Sequence, residues 1–91
     1  MSEIESKSSW FVYMLQTQCG KLYTGISTDV DRRFKEHCET YEGRSQKGAK
    51  FFRGKKPDKV VYRESCLSRS EASTREFQIK KMSVIDKRAL F

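Results

Sequence analysis

Asparagine does not occur in this 91-residue chain; proline, tryptophan and histidine occur once each, and cysteine three times. A single proline, five glycines and no internal period exclude collagen-like, Gly/Pro-rich and solenoid architectures. Cys19, Cys38 and Cys66 are odd in number and lack CxxC spacing, which argues against a disulfide framework or a four-ligand zinc knuckle. Their use fits a reducing, cytoplasmic (intracellular) setting. His37 and Cys38 are adjacent, so on a helix they point apart and do not complete a zinc site with Cys19 and Cys66. The longest apolar run, Trp10 to Leu15, is far too short to span a bilayer, and no secretory leader pattern precedes it. Neither membrane insertion nor secretion is expected.

What is present suits one small domain. The chain is 36% hydrophobic and 34% charged, so the core is thin, but six Phe and four Tyr supply large buried areas. The net charge of +7 is unevenly spread. Between Arg44 and Arg63 stand Arg44, Lys47, Lys50, Arg53, Lys55, Lys56, Lys59 and Arg63 against Asp58 alone, which accounts for the whole excess of +7. A neutral body carrying one basic segment is what a phosphate-backbone contact surface looks like, and also what a lysine-rich solvated loop looks like.

Met1 to Ser9 is polar, Ser-rich and aperiodic, and reads as a frayed, flexible terminus before a domain over 10–91. Trp10 to Gln16 and Leu22 to Ile26 are rich in aromatic and β-branched residues and read as a hairpin. A three-residue loop with Gly20 in the left-handed conformation pairs Thr17 with Lys21 and Tyr13 with Gly25, placing Tyr13 and Tyr23 on one face. A two-residue loop would separate the tyrosines; the position of Gly20 favours the longer one. Gly25 then offers no Cβ opposite Tyr13, leaving space for something to approach the sheet. Thr28 is the expected N-cap of a helix to about Cys38 or Tyr41, with Val30, Phe34 and Cys38 or Tyr41 on its core stripe and Arg33 and His37 on an adjacent one. A short helical turn follows around Ala49 to Arg53, a turn at Lys56 to Lys59, and a strand from Val60 to about Cys66. Ser68 to Glu71 has capping-box spacing and opens a helix to about Met82, on which Ala72, Ile79 and Met82 form the apolar stripe and Glu76 borders it. A short helix after Ser83 ends the order ββαβα plus a tail helix. The expected class is α+β, a small three-stranded antiparallel sheet flanked by helices.

Tyr13, Tyr23, Arg33, His37 and Glu76 are the polar residues hardest to explain as packing. With them the sequence resembles the GIY-YIG nuclease superfamily: Phe11-Val12-Tyr13 stands at the GIY motif, Tyr23-Thr24-Gly25 at the YIG motif, Arg33 and His37 on the next helix, Glu76 on a later one. The resemblance is closest to small stand-alone members, through Leu22-Tyr23-Thr24-Gly25, the start Asp29-Val30-x-Arg32-Arg33, and Lys47-Gly48-Ala49-Lys50 followed by Arg53-Gly54. It implies divalent-metal-dependent hydrolysis of nucleic-acid phosphodiesters, with DNA the favoured substrate. Tyr13 is then general base or water positioner, aided by Tyr23; Arg33 charges the phosphate, His37 hydrogen-bonds phenol or phosphate, and Glu76 is sole protein ligand of Mg2+ or Mn2+. A phenol of reference pKa ~10 is a poor base, so nearby positive charge would have to depress it. Lys47, Lys50, Arg53, Lys55 and Lys56 are the expected nucleic-acid contacts. Larger members often add an Asn after the metal-binding Glu, which a chain without Asn does not do. With no appended targeting domain expected, specificity would fall to the basic segment, a protein partner or a homodimer.

Plainer readings stand beside these. Tyr13 and Tyr23 also suit a cross-strand aromatic pair, Arg33 and His37 a solvated helix edge, and Glu76 an i,i+4 ion pair with Lys80. A binding module without turnover would use the basic segment with Phe51-Phe52 for base stacking. A protein-interaction adaptor of the same fold is a third possibility.

Overall fold

The loop between the first two strands decides the hairpin. In the computed structural model, which describes residues 9–91, Gly20 has φ +89° and its N–H donates to the Thr17 carbonyl at 3.0 Å, while Thr17 N–H donates to the Lys21 carbonyl at 2.9 Å. This is the three-residue loop, and it sets the register Tyr13 opposite Gly25 and Leu15 opposite Tyr23 between β1 (Trp10–Thr17) and β2 (Leu22–Ser27). The expected terminal segment lies outside the described residues except for Ser9, whose Oγ donates to the Leu67 carbonyl at 3.4 Å.

β3 (Pro57–Cys66) pairs antiparallel with the other edge of β1, giving the order β2-β1-β3. Pro57 is the strand's first residue, opposite Thr17, and not part of a free turn; that first position is one a proline can occupy without costing a ladder bond. Central β1 is covered on both faces, which is why Val12 to Leu15 is a continuous buried run.

On one face lie α2 (Arg69–Lys80) and α3 (Val84–Arg88), burying Ala72 and Ile79 against Val12, Met14 and Cys66, with Trp10, Ile26, Met82 and Leu90 around them. Ser68 Oγ accepts Glu71 N–H at 3.1 Å and the Glu71 carboxylate accepts Leu67 N–H at 2.8 Å, so the expected helix start is observed. Phe77 is exposed, with Lys81 Nζ 4.9 Å from its ring centre.

The other face carries α1 (Val30–Tyr41) and the 3-10 turn Lys50–Arg53 over Tyr13 and Leu15. Two expectations for α1 are corrected. Its N-cap is Asp29, whose Oδ1 accepts Arg32 N–H at 3.0 Å, because the preceding Ser27 hydroxyl holds Asp29 N–H at 2.9 Å and places the helix start one residue later than Thr28. Its buried positions are Val30, His37 and Thr40, while Phe34 and Cys38 are partly exposed and Tyr41 is 40% exposed. Val30 and Phe34 do pack on the cluster of Tyr13, Leu15 and Phe52; His37 and Thr40 are buried beside them because loop 47–49 docks there and satisfies their polar groups. Phe52 is fully buried beneath that loop, which removes it as a base-stacking surface. Among the described residues no helix is long and apolar enough to cross a membrane.

Candidate active site

Strand alternation brings Tyr13 and Tyr23 to the α1 face as diagonal neighbours, their ring centres 6.3 Å apart. One turn of α1 separates Arg33 from His37, and both face these rings. Tyr13 Oη lies 2.9 Å from His37 Nε2, the Tyr23 ring meets the imidazole edge to face at 5.3 Å, and Phe52 lies on it at 4.3 Å. The space the missing Gly25 Cβ was expected to leave is taken by Tyr13 itself: a Cβ there would stand 2.7 Å from Tyr13 Oη and 2.9 Å from Cζ. Gly25 thus admits the phenol, not an external group.

Arg33 is tethered rather than solvated. Its Nη1 donates to Glu36 Oε1 at 2.8 Å and to the Lys47 carbonyl at 2.6 Å. Both contacts use one nitrogen, so Nε and Nη2 are left for the Tyr13 hydroxyl and for an anion. Burial works against the Arg33 charge, but the Glu36 bond and the nearby phenols hold its pKa above the usual value.

The charge balance runs against one expectation. Burial pushes the Tyr13 phenol well above its ordinary pKa, and the neighbouring Tyr23 adds to that, while Arg33 opposes it by charge and hydrogen bonding without prevailing. Tyr23 is raised too, chiefly by burial. Both are protonated at neutral pH. Burial, helped by the Arg33 charge, lowers the His37 pKa to about 4, so the imidazole is neutral.

Glu76 arrives from the other layer. α2 packs along edge strand β2, and the Glu76 charge is felt by both phenols, but its ion-pair partner is Lys80, Nζ to Oε2 3.1 Å. The structure thus gathers Tyr13, Tyr23, Arg33 and His37 and holds Glu76 at their margin. Among the described residues no three His, Cys, Asp or Glu side chains group to hold a metal ion. A half-buried lone carboxylate fits only a hard cation that keeps most of its own water, as Mg2+ does.

The basic segment is partly spent. Arg44 pairs with Glu42, Arg63 with Asp31 at 2.6 Å, and Lys55 Nζ lies 4.8 Å over the half-buried Phe51 ring. Lys47, Lys50, Arg53 and Lys56 are exposed. A groove of about 280 Å3 opens on the other side of Arg33, lined among others by Trp10, Ser27, Thr28, Arg32 and Arg69. Sequence reasoning missed this groove, because Trp10 and Arg69 join Arg32 only through the fold. It also missed the parts played by Glu36, Gly48 and Ala49; the Lys47-Gly48-Ala49-Lys50 run marks the family resemblance, but nothing in it tells that the loop docks on the helix.

Residues 9–84 match the family model of the GIY-YIG catalytic domain. The chain is 48% identical over 84 residues to UPF0213 protein DP2720 of Desulfotalea psychrophila, covering 92% of this chain and 72% of that protein. It is 40% identical over 81 residues to UPF0213 protein YhbQ of Escherichia coli, covering 89% and 75%. The solution structure of UPF0213 protein BH0048 from Bacillus halodurans superposes with a TM-score of 0.53 at 38% identity, over 89% of this chain and 80% of that one.

Proposed function

The chain belongs to the GIY-YIG family, a nuclease-type family, and to its UPF0213 members, and from that membership we propose that it is a divalent-metal-dependent endonuclease or related phosphodiesterase acting on nucleic acid, DNA above all. The observation that carries this reading is the convergence of a buried phenol, a neutral imidazole and a tethered guanidinium on one face of the sheet.

A phosphodiester is already anionic, so hydrolysis needs positive charge at the phosphate and an oriented water. Arg33 supplies the charge from a fixed position, since Glu36 and the Lys47 carbonyl aim it before substrate arrives. Tyr13, protonated and held at His37, orients the attacking water. Its raised pKa supports the positioning role over that of a resident base. Tyr23 walls the site and excludes solvent. A cation held by Glu76, when bound, would add positive charge beside phosphate and phenols and lower the pKa of nearby water; Lys80, on Oε2 of that carboxylate, would compete with it. The nucleic acid is proposed to run from the Trp10–Arg32–Arg69 groove past Arg33 to Lys47, Lys50 and Arg53, Lys55 and Lys56 flanking it.

The second reading, a binding module without turnover, draws support from the Glu76–Lys80 ion pair, which occupies the expected metal ligand. Incubating the protein with branched, single-stranded and duplex DNA in Mg2+ or Mn2+ separates the two. Cleavage lost in Glu76→Ala supports the nuclease; wild-type binding without cleavage on every substrate supports the module.

A further inference from the structure

Three consecutive loop residues touch one face of α1. The Lys47 carbonyl accepts from Arg33 Nη1 at 2.6 Å, Gly48 N–H donates to Thr40 Oγ1 at 2.8 Å, and Ala49 N–H donates to His37 Nδ1 at 3.3 Å. Arg33, His37 and Thr40 are spaced by four and three residues, so the loop follows a single helical row. Gly48 allows the approach: a Cβ there would stand 2.8 Å from the Glu36 carbonyl oxygen and 3.0 Å from His37 Cα, both backbone atoms that cannot swing aside.

We propose that loop 47–49 is a positioning element that holds His37 as its Nε2–H tautomer and thereby turns the Tyr13 hydroxyl proton away from the imidazole, toward the substrate side. The role given to that proton rests on the reading of Tyr13 above; the tautomer does not.

A neutral imidazole carries one proton, and a ring nitrogen that accepts a backbone N–H cannot also bear it. Nδ1 accepts from Ala49, so the proton is on Nε2, where Tyr13 Oη is the acceptor at 2.9 Å. The neutral state follows from a fully buried ring beside the Arg33 guanidinium, whose charge outweighs that of Glu36. With its oxygen receiving the imidazole proton, Tyr13 keeps its own O–H to donate to a water or phosphate oxygen. In the opposite tautomer Nε2 would accept that O–H, and the phenol would lose its outward donor. Phe52, 4.3 Å from the ring centre, packs the imidazole in place. Gly48 and Ala49 are thus positioning residues that act through His37.

His37 is the chain's one histidine, so a nitrogen-15 ring-correlation spectrum holds one imidazole. At pH 7, without substrate, Nδ1 is expected to show the shift of a bare ring nitrogen and Nε2 that of a protonated one. A protonated Nδ1 or an averaged pair of shifts overturns the proposal. In Tyr13→Phe the Nε2–H form should persist, because the loop and not the phenol selects it; a change of tautomer there would assign the selection to Tyr13 instead. Ala49→Pro removes the donor at a φ of −69° that proline accepts, and Gly48→Ala lifts the loop. Each should give a tautomer mixture in a folded chain and a kcat lowered roughly 10²-fold with little change in KM, whereas an unchanged Nε2–H spectrum would overturn the role of the loop. If neither variant folds, the wild-type and Tyr13→Phe spectra decide. Because these are read without substrate, an inactive protein with the expected tautomer sinks only the nuclease reading, and an active one with the other tautomer sinks only this one.

Discussion

Tyr13 and His37 are both buried, and neither is charged at neutral pH, so the heart of the site is a pair of dipoles flanked by one guanidinium. For His37 the folded pKa of about 4 lies below the ordinary 6.5. The unfolded chain therefore binds the proton more readily, and the stability held above pH 6.5 is lost as pH falls through 6.5 toward 4, by about 3 kcal/mol. Urea unfolding of the wild type and His37→Gln across that window checks it: the difference between them should shrink as pH falls, and a constant difference contradicts the assignment. Gly25→Ala belongs to the same scale. The added methyl meets Tyr13 Oη and Cζ, so a loss of about 1–3 kcal/mol is expected, together with a changed His37 ring spectrum as the phenol is pushed off Nε2. The residues that meet here were legible, because strand and helix periods dictate which side chains share a face. The burial of His37 was not, since the loop that covers it has no period to read.

At the scale of elements the hairpin was the most legible feature, because Gly20 selects the loop and the loop selects the register. α1 was legible in extent and in its Val30 and Phe34 contacts, but the burial of His37, which also suited a solvated edge, and of Thr40 depends on the partners that Ala49 and Gly48 supply. Phe52, offered by the sequence as a base-stacking surface, is core, while Phe77 is exposed. Phe52 supports both the imidazole and the Tyr23 ring, the latter at 5.0 Å. Phe52→Ala should therefore cost about 3–5 kcal/mol, while Phe77→Ala stays within about 0.5 kcal/mol of the wild type. Chemical unfolding checks both, and a reversed order would mean that loop 47–53 is not docked as described.

For the whole molecule, the uneven charge was plain in the sequence, but its geometry was not. Pairing by Asp31 and Glu42 draws on the ends of the basic segment, and the fold sets Arg32 and Arg69 beside Trp10 in a groove that Glu36, 3.9 Å from Arg32, also lines. Arg33 lies between the two. Charge reversal by Arg32→Glu with Arg69→Glu, and separately by Lys50→Glu with Arg53→Glu, should each weaken binding to single-stranded DNA without regard to sequence. Each should also flatten the log-affinity against log-salt slope by about 0.7 for every phosphate no longer neutralised. Lys50 and Arg53 are exposed, so their double variant keeps its thermal transition; a collapse would show them to be structural.

Whether the gathered side chains do chemistry or only pack turns on one oxygen atom, the Tyr13 hydroxyl. On a DNA that the wild type cuts in Mg2+ or Mn2+, single-turnover cleavage by Tyr13→Phe should fall roughly 10²-fold or more, while binding of that DNA, measured without metal, is unchanged. Cleavage by Tyr13→Phe at the wild-type rate would mean that the phenol only packs.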